Sequence, residues 1–240
     1  MKDNEIRSKI LSILIHNQKS SFTDLWDKEV PSNKFTYHLN QLIEEGYVIK
    51  DKEQKYSLTT KGKSLESTLD GETGKKRKRP FVSVLLVIRK NGKYLLYHRT
   101  KEPFYGFFGF PGAKVEYGEE ILACARRELL EETGLEGEGK VMSVVNFRPK
   151  EEGEMLTNFT QFIVLIDNPT GELIESNREG NYTFVDKEEF LEKHKKGVLF
   201  PDILVIFKDI EENNDDFKFY EISFNIVNSK FTDFKCERIR

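Results

Sequence analysis

The feature that most constrains this chain is a dense run of charge, "RRELLEETG", at residues 126–134. On a helix, Glu128, Glu131 and Glu132 stand at positions i, i+3 and i+4, and therefore lie on one face. Gly134 follows and can end the helix in the left-handed conformation. The sequence thus predicts a helix over residues 119–134 that crowds three carboxylates together.

Three carboxylates on one helix face repel one another unless a cation lies between them. Mg²⁺ takes hard oxygen ligands and is shared with substrate phosphates, and such a site can neutralise a diphosphate and activate water for attack on phosphorus. Glu119 leads the helix, where the helix dipole favours a carboxylate, and Arg127 can hold Glu119 or another ligand in position. The pattern therefore predicts a Mg²⁺ site, with Mn²⁺ as the alternative ion, rather than a solvated acidic face.

The same residues resemble the signature of the Nudix hydrolases. That signature reads glycine, five residues, glutamate, seven residues, then Arg-Glu-aliphatic-x-Glu-Glu-x-Gly-aliphatic. Every element from Glu119 to Leu135 is present at the correct spacing, whereas the opening glycine of the signature falls on Ala113, directly after Gly112. The resemblance covers residues 81 to 212 and implies a Nudix α/β/α sandwich with a mixed sheet.

The resemblance implies a role for each matching residue. The expected catalytic residues are Glu128, Glu131, Glu119 and Arg127. The expected metal ligands are Glu128, Glu131, Glu132 and the carbonyl of Gly112. Glu128 is left with two alternatives, a metal ligand or the residue that orients the attacking water.

Other positions outside the motif are expected to contact the substrate. Arg99 matches a position that contacts substrate phosphates in MutT-like members of the family, although a surface arginine at a strand end is an equally good interpretation. Glu179, or alternatively Glu175, lies where the family often supplies another carboxylate. In "EPFYGFFGFPG", Phe108 and the neighbouring aromatics Phe104, Tyr105 and Phe107 could stack on a base, or belong to the core.

The substrate class is a nucleoside diphosphate derivative, either a nucleoside triphosphate or a nucleotide sugar. The aromatic segment before the motif resembles MutT-like nucleoside-triphosphate pyrophosphohydrolases. Pro149 lies at roughly the distance where ADP-ribose pyrophosphatases carry a proline. The reaction expected is hydrolysis of a phosphoric anhydride bond.

The first 69 residues predict a separate module. Three helical segments followed by a small hairpin resemble prokaryotic winged-helix regulators, whose third helix enters the major groove of duplex DNA and whose wing follows the backbone. Polar side chains on the third helix could read base edges, and lysines on the wing could contact phosphates. The residues expected at DNA are Asn33, Lys34, Tyr37, Asn40, Gln41, Lys52 and Lys55. Winged helices also serve as protein–protein or dimerisation modules, so a homodimer is the alternative.

The predicted fold class is α+β, with four segments along the chain. They are a winged helix-turn-helix domain at 1–69, a basic linker at 70–80, a Nudix domain at 81–212 and a C-terminal β-hairpin at 213–240. Through Pro80 there are 16 Lys and Arg against 12 Asp and Glu, and the remainder is acidic. This asymmetry indicates two modules with different partners.

Several classes of protein are excluded by composition. Two cysteines far apart, Cys124 and Cys236, form neither a disulfide framework nor a metal cluster. No apolar run reaches spanning length, and the charged N-terminus is not a signal peptide, so a cytoplasmic protein without membrane partners is expected. Two functions remain: a Mg²⁺-dependent Nudix pyrophosphohydrolase with a DNA-binding module, or a transcription regulator whose Nudix domain senses a nucleotide-derived ligand.

Overall fold

A computed structural model describes residues 3–64, 79–101, 104–212, 216–228 and 230–239. The chain divides into two compact units, residues 1–78 and 79–240. Nearly all of the predicted linker at 70–80 lies outside the described residues. Among the described residues, no helix is both long and apolar enough to cross a membrane.

The first unit contains three helices, a hairpin and a short fourth helix. In chain order these are α1 (Asp3–His16), α2 (Phe22–Leu25), α3 (Ser32–Glu44), β1 (Val48–Lys50), β2 (Tyr56–Leu58) and α4 (Thr60–Ser64). Ser21 caps α2 in a reciprocal arrangement with Asp24, and Gly46 takes a φ of 76° just after α3. The elements lie where the sequence predicts them, and their assignment to the winged-helix class stays a prediction.

The core of this unit comes from one stripe of each helix and from the hairpin. Ile10 on α1 and Phe35, Leu39 and Leu42 on α3 are almost fully buried, as the spacing of apolar residues on α3 predicts. Strands β1 and β2 pair antiparallel, from Val48 opposite Leu58 to Lys50 opposite Tyr56. Packing of α1 against α3 leaves the polar face of α3 in solvent.

The second unit is built on one mixed sheet with helices on both faces. Its strands are β3 (Phe81–Lys90), β4 (Lys93–Arg99), β5 (Phe108–Gly109), β6 (Gly112–Lys114), β8 (Gly139–Glu151), β9 (Glu154–Met155), β10 (Phe159–Asp167), β12 (Gly180–Val185), β13 (Lys218–Val227) and β14 (Lys230–Arg238). A separate small pair consists of β7 (Leu135–Glu136) and β11 (Thr170–Gly171). The helices are α5 (Ile121–Thr133), α6 (Lys187–Lys195) and α7 (Pro201–Glu211).

The order of strands along the main path of the sheet is β12-β4-β3-β10-β8-β13-β14 among the described residues. Strand β10 runs parallel to β3 and antiparallel to β8, and β13 runs parallel to β8. The C-terminal hairpin is therefore part of this sheet. It does not form a separate extension.

Strand β3 shows why helices cover both faces. Alternate side chains of a strand point to opposite faces, and here both sets are apolar. Val84, Leu86 and Ile88 belong to the cluster that includes Leu129 of α5. Leu85 and Val87 belong to the cluster that contains the buried side chains of α6 and α7. The expected three-layer sandwich with a mixed sheet is thus present.

Candidate active site

Helix α5 carries the charged motif on the edge of its buried face. Cys124, Ala125 and Leu129 pack against the sheet, and Gly134 ends the helix with a φ of 70°, as predicted. Because Glu128 lies on the same buried face of α5 as these residues, it is only 9% exposed. Glu131 lies in solvent and Glu132 is half-buried.

Glu119 and Arg127 form a bidentate ion pair. Arg127 donates from Nε to Glu119 Oε1 at 2.8 Å and from Nη2 to Oε2 at 2.9 Å. The backbone amide of Glu116 also donates to Oε2 at 2.9 Å. Chiefly because of Arg127, the pKa of Glu119 falls to about 2. Arg127 therefore anchors the loop that precedes α5 to the second turn of that helix.

Glu128 is a buried carboxyl among other carboxylates. Burial and the nearby charge of Glu132 raise its pKa to about 7, and Glu131 and Glu179 add to the shift. The Arg127 guanidinium lies 4.0 Å from Glu128 Oε2 and opposes the shift. Burial and repulsion from neighbouring carboxylates thus outweigh the nearby guanidinium at Glu128.

Glu132 is held by residues far away in sequence. Its Oε2 accepts hydrogen bonds from Asn177 Nδ2 at 2.6 Å and from the Tyr182 hydroxyl at 3.0 Å. Asn177 Nδ2 also donates to the backbone carbonyl of Glu132 at 3.1 Å. Neither Asn177 nor Tyr182 is identified from the sequence, and the 45- and 50-residue separations offer no local signal.

Gly112 and Ala113 lie in β6, beside the cavity described next. A Cβ on Gly112 would stand 2.5 Å from the carbonyl oxygen of Val84, so only glycine fits against β3 there. Ala113 pairs with Val84 in extended backbone, where alanine meets no conformational penalty. Alanine at position 113, where the signature has its opening glycine, therefore introduces no backbone strain.

One cavity of the second unit has a volume of about 500 Å³, which is within the range of small-molecule sites. Its charged lining residues are Arg99, Lys101, Lys114, Glu179 and Asp202, and Gly112 and Ala113 of the motif region line it as well. Arg99 donates from Nε to the carbonyl of Lys101 at 3.0 Å and from Nη1 to the Tyr97 hydroxyl at 2.9 Å. Lys101 forms an ion pair with Glu179. Glu175 is exposed and does not line the cavity.

Three buried polar atoms with no hydrogen-bond partner belong to residues that line this cavity. They are Ser83 Oγ, Gln161 Oε1 and Asp202 Oδ1. Ser83 and Gln161 are directly paired across β3 and β10, and Asp202 lies in the first turn of α7. Burial raises the pKa of Asp202 to about 7. Unpartnered buried polar atoms are costly, so these three atoms are candidate hydrogen-bonding groups for a ligand or for water in the cavity.

These three residues are absent from the sequence-based site, although each breaks an apolar run. Ser83 interrupts "FVSVLLVI", Gln161 interrupts "FTQFIVL" and Asp202 interrupts "LFPDILVIF". A polar side chain in an otherwise buried element is the signal that could have identified them.

The aromatic segment before the motif is only partly in the cavity. Phe104 lines it, whereas Tyr105 is 63% exposed. The Phe108 ring stacks on His98, with centroids 4.4 Å apart, and Lys193 Nζ lies 4.2 Å from its centroid. Phe104 therefore lines the cavity and Phe108 does not, and contact of either ring with a base stays a prediction.

A divalent cation has suitable donors here, but no preformed cage. Among the described residues, no group of three or more acidic, histidine or cysteine side chains is close enough to hold a metal. Arg127 engages Glu119 and Glu131, and Asn177 engages Glu132. The donor chemistry fits Mg²⁺, because hard oxygen atoms such as those of carboxylates are its preferred ligands and Glu128 is a buried carboxyl beside Glu131 and Glu132.

The residues expected at DNA are grouped in the first unit. On α3, Asn33, Tyr37 and Asn40 are exposed, while Lys34 and Gln41 are half-buried. Gln41 Nε2 donates to the Tyr37 hydroxyl at 2.8 Å. Lys52 and Lys55 lie in the turn between β1 and β2.

Comparison with known proteins identifies the family. A family model described as the NUDIX domain matches residues 77–202, slightly more than half of the chain. The chain therefore belongs to the NUDIX family, as its sequence motif predicts. A second model, described as a domain of unknown function (DUF7347), matches residues 2–69.

Individual relatives agree with this assignment. The chain is 35% identical over 94 residues to an ADP-ribose pyrophosphatase of Methanocaldococcus jannaschii, a match that covers 39% of this chain and 54% of that protein. The chain thus spans about half the length of this relative. The crystal structure of the MutT protein from Bacillus halodurans is similar with a TM-score of 0.52 and 21% identity, over 65% of this chain and 97% of that one. That likeness shows the fold alone.

Proposed function

We propose that the second unit is a divalent-cation-dependent pyrophosphohydrolase that acts on a nucleoside diphosphate-linked substrate. The observation that carries the proposal is the position of Glu128, which is buried on α5 among carboxylates from the same helix and Glu179 from the cavity wall. The ADP-ribose pyrophosphatase relative makes ADP-ribose the first substrate to test.

The residues divide into three groups. Glu128, Glu131 and Glu132, with the carbonyl of Gly112, would hold Mg²⁺ or Mn²⁺. When bound, the cation would neutralise the diphosphate and stabilise charge in the transition state. The ion pair between Arg127 and Glu119 holds the loop before α5 in a fixed position on that helix. Water would attack one phosphorus and lose a proton to solvent or a neighbouring carboxylate, and the bridging P–O bond would break. The products would be two phosphomonoesters from a nucleotide sugar, or a nucleoside monophosphate and pyrophosphate from a nucleoside triphosphate. Glu128 orients this water or acts as a ligand.

The remaining polar groups would hold the substrate. Arg99 and Lys101 supply positive charge to phosphate oxygens at the cavity, where Glu179 shares the charge of Lys101. Ser83, Gln161 and Asp202 present hydrogen-bonding atoms without partners, which fits the polar edge of a nucleobase. Phe104 supplies an aromatic surface at the same cavity.

Hydrolysis of a nucleotide panel tests this function. The panel contains ADP-ribose, the nucleoside triphosphates and dinucleoside polyphosphates, each assayed with Mg²⁺, with Mn²⁺ and with chelator. We expect cation-dependent release of phosphomonoesters, and loss of it in Glu132→Gln. Glu138→Gln is the matched control, because Glu138 is an exposed glutamate that pairs with Arg126 instead. Wild-type turnover no greater than that of Glu132→Gln would reject the proposal.

We further propose that the first unit binds duplex DNA, with α3 in the major groove and the β1–β2 turn along the backbone. The supporting observation is that the exposed side of α3 carries amide and hydroxyl groups while its apolar residues face the core. If the unit binds DNA, the nucleotide cavity could act as a sensor as well as an active site. Titration of duplex DNA at several salt concentrations tests this, and binding without salt dependence would exclude phosphate contacts.

A further inference from the structure

The C-terminal hairpin lies beyond the region that the family model matches, which ends at residue 202. Strand β13 pairs with β8 over Lys218–Ile226, and β14 pairs with β13 at the edge of the sheet. Strand pairing explains how the hairpin is attached. It does not explain one aromatic side chain, Phe231, at the start of β14.

Phe231 packs against three other rings. Its centroid lies 4.5 Å from that of Phe107, 5.0 Å from that of Phe224 and 6.0 Å from that of Phe200. Phe224 is a core residue of β13, but Phe107 and Phe200 belong to the segments that border the cavity. The other phenylalanine that follows on β14, Phe234, is 43% exposed. Phe231 therefore connects the hairpin to the cavity wall.

Phe200 transmits this contact to the cavity. Phe200 and Phe104 both line the cavity, and their rings meet edge to face with centroids 5.2 Å apart. Phe107 lies 5.8 Å from Phe200 on the same measure. A Cβ at Gly109 would stand 2.9 Å from the Phe200 ring, so that ring is closely seated on backbone. Phe231 does not line the cavity itself and supports the wall from behind.

Phe104 needs such support. Its φ of 73° is in the left-handed region, which is unfavourable for an aromatic residue and persists only where the surroundings enforce it. Two backbone hydrogen bonds close the loop around it, from Gly106 to the Arg99 carbonyl and from Arg99 to the Phe107 carbonyl, both at 2.9 Å. The Phe200 ring packs edge to face on Phe104, and Phe231 packs against Phe200.

We infer that Phe231 is a positioning residue of the substrate cavity: it holds Phe107 and Phe200 so that Phe104 and Phe200 present a fixed aromatic wall to the substrate. The hairpin is then part of the substrate site as well as of the fold. This inference rests on the proposed function, and its effect falls on substrate binding instead of on the chemical step.

The test compares kcat and KM for ADP-ribose, or for the best substrate of the panel, in Phe231→Ala, Phe231→Leu and wild type. Loss of an interaction made equally with substrate and transition state raises KM and leaves kcat unchanged. We expect Phe231→Ala to raise KM about three- to tenfold, the size of one or two aromatic contacts, with little change in kcat. Phe231→Leu should restore most of the loss, and Phe234→Ala on the same strand should match wild type.

A parallel binding measurement separates this inference from the proposed function. Calorimetric titration of AMP without a metal ion should show weaker binding to Phe231→Ala than to wild type. Wild-type AMP binding without hydrolysis of any substrate would overturn the proposed function alone. A KM and an AMP affinity that do not change in Phe231→Ala, whatever its melting temperature, would overturn the inference alone, and a wild type that neither binds nor hydrolyses would overturn both. If Phe231→Ala does not fold, Phe231→Val gives the same comparison.

Discussion

Arg127 donates from Nε and Nη2 to the two carboxylate oxygens of Glu119, eight residues earlier in the chain. This geometry explains why the motif needs arginine next to Glu128. The guanidinium fork matches a carboxylate in a way that the single ammonium group of lysine does not. Arg127 also approaches Glu131 at 3.3 Å, so one side chain holds the loop before α5 and one of the proposed metal ligands.

Replacing Arg127 by lysine should lower activity with the fold intact. We expect a loss of about 10- to 100-fold in kcat/KM or in apparent Mg²⁺ affinity, the size usual for residues that orient metal ligands. Titration of activity against Mg²⁺ measures both quantities. Arg126→Lys is the matched control, because Arg126 pairs with exposed Glu138 at 3.2 Å. Equal losses in the two variants would contradict the role of the Arg127–Glu119 pair.

Two neighbouring small residues in β6 should differ in how strongly they respond to substitution. Gly112→Ala places a Cβ 2.5 Å from the Val84 carbonyl oxygen, so we expect a loss of about 1 to 3 kcal/mol in the free energy of unfolding and reduced activity. Ala113→Gly restores the glycine of the family signature and should leave the reaction rate within about twofold, at a cost below about 1 kcal/mol. Denaturant unfolding and initial rates on both variants check this. An Ala113→Gly variant that gains activity strongly would show that alanine disturbs the loop.

The motif makes helix α5 predictable from the sequence, because the spacing of its residues along one helix is a local property. Residues 121–133 form the helix that the run of charge predicts, and Gly134 ends it. The same holds for β3 and β4, because Asn91-Gly92 between them is a dipeptide that favours a two-residue hairpin turn. Local patterns also predict the C-terminal hairpin, but its place in the sheet depends on pairing with β8 across more than 70 residues.

The rest of the site depends on register between distant segments. Ser83 and Gln161 become neighbours because β3 and β10 pair in parallel with that register, and Asp202 joins them from α7. Asn177 and Tyr182 contact Glu132 because the segment before β12, and β12 itself, lie beside the end of α5. Nothing in a single sequence fixes such registers. Phe108 illustrates the same limit differently. Its residue type suits stacking on a base, but its ring is stacked on His98.

Asp202 should make the stability of the second unit depend on pH. Its pKa rises from 3.8 to about 7 on folding, chiefly through burial. The folded state therefore retains a proton that the unfolded state loses, and stability falls as pH rises from about 4 to 7. Asp202→Asn cannot ionise and should remove about 2 to 4 kcal/mol of this dependence.

The measurement is the free energy of unfolding of wild type and Asp202→Asn at pH 5 and pH 8, in chelator and without nucleotide. The difference between the two proteins should shift in favour of Asp202→Asn at the higher pH. An equal difference at both values would mean that Asp202 is ionised throughout. The same variant should raise KM for the nucleotide substrate, because Asp202 Oδ1 is one of the unpartnered atoms at the cavity.

The first unit offers a test through the salt dependence of DNA binding. Each phosphate contact that a lysine makes contributes close to one unit to the slope of log K against log salt. If Lys52 and Lys55 in the β1–β2 turn contact the backbone, replacing both by alanine should weaken binding on every sequence and reduce the magnitude of the slope by about 2. Asn40→Ala on the exposed side of α3 should instead reduce the preference between sequences and leave the slope unchanged. Lys93→Ala, an exposed lysine of the second unit, is the control, and a slope that falls as much in this variant would place the DNA contacts elsewhere.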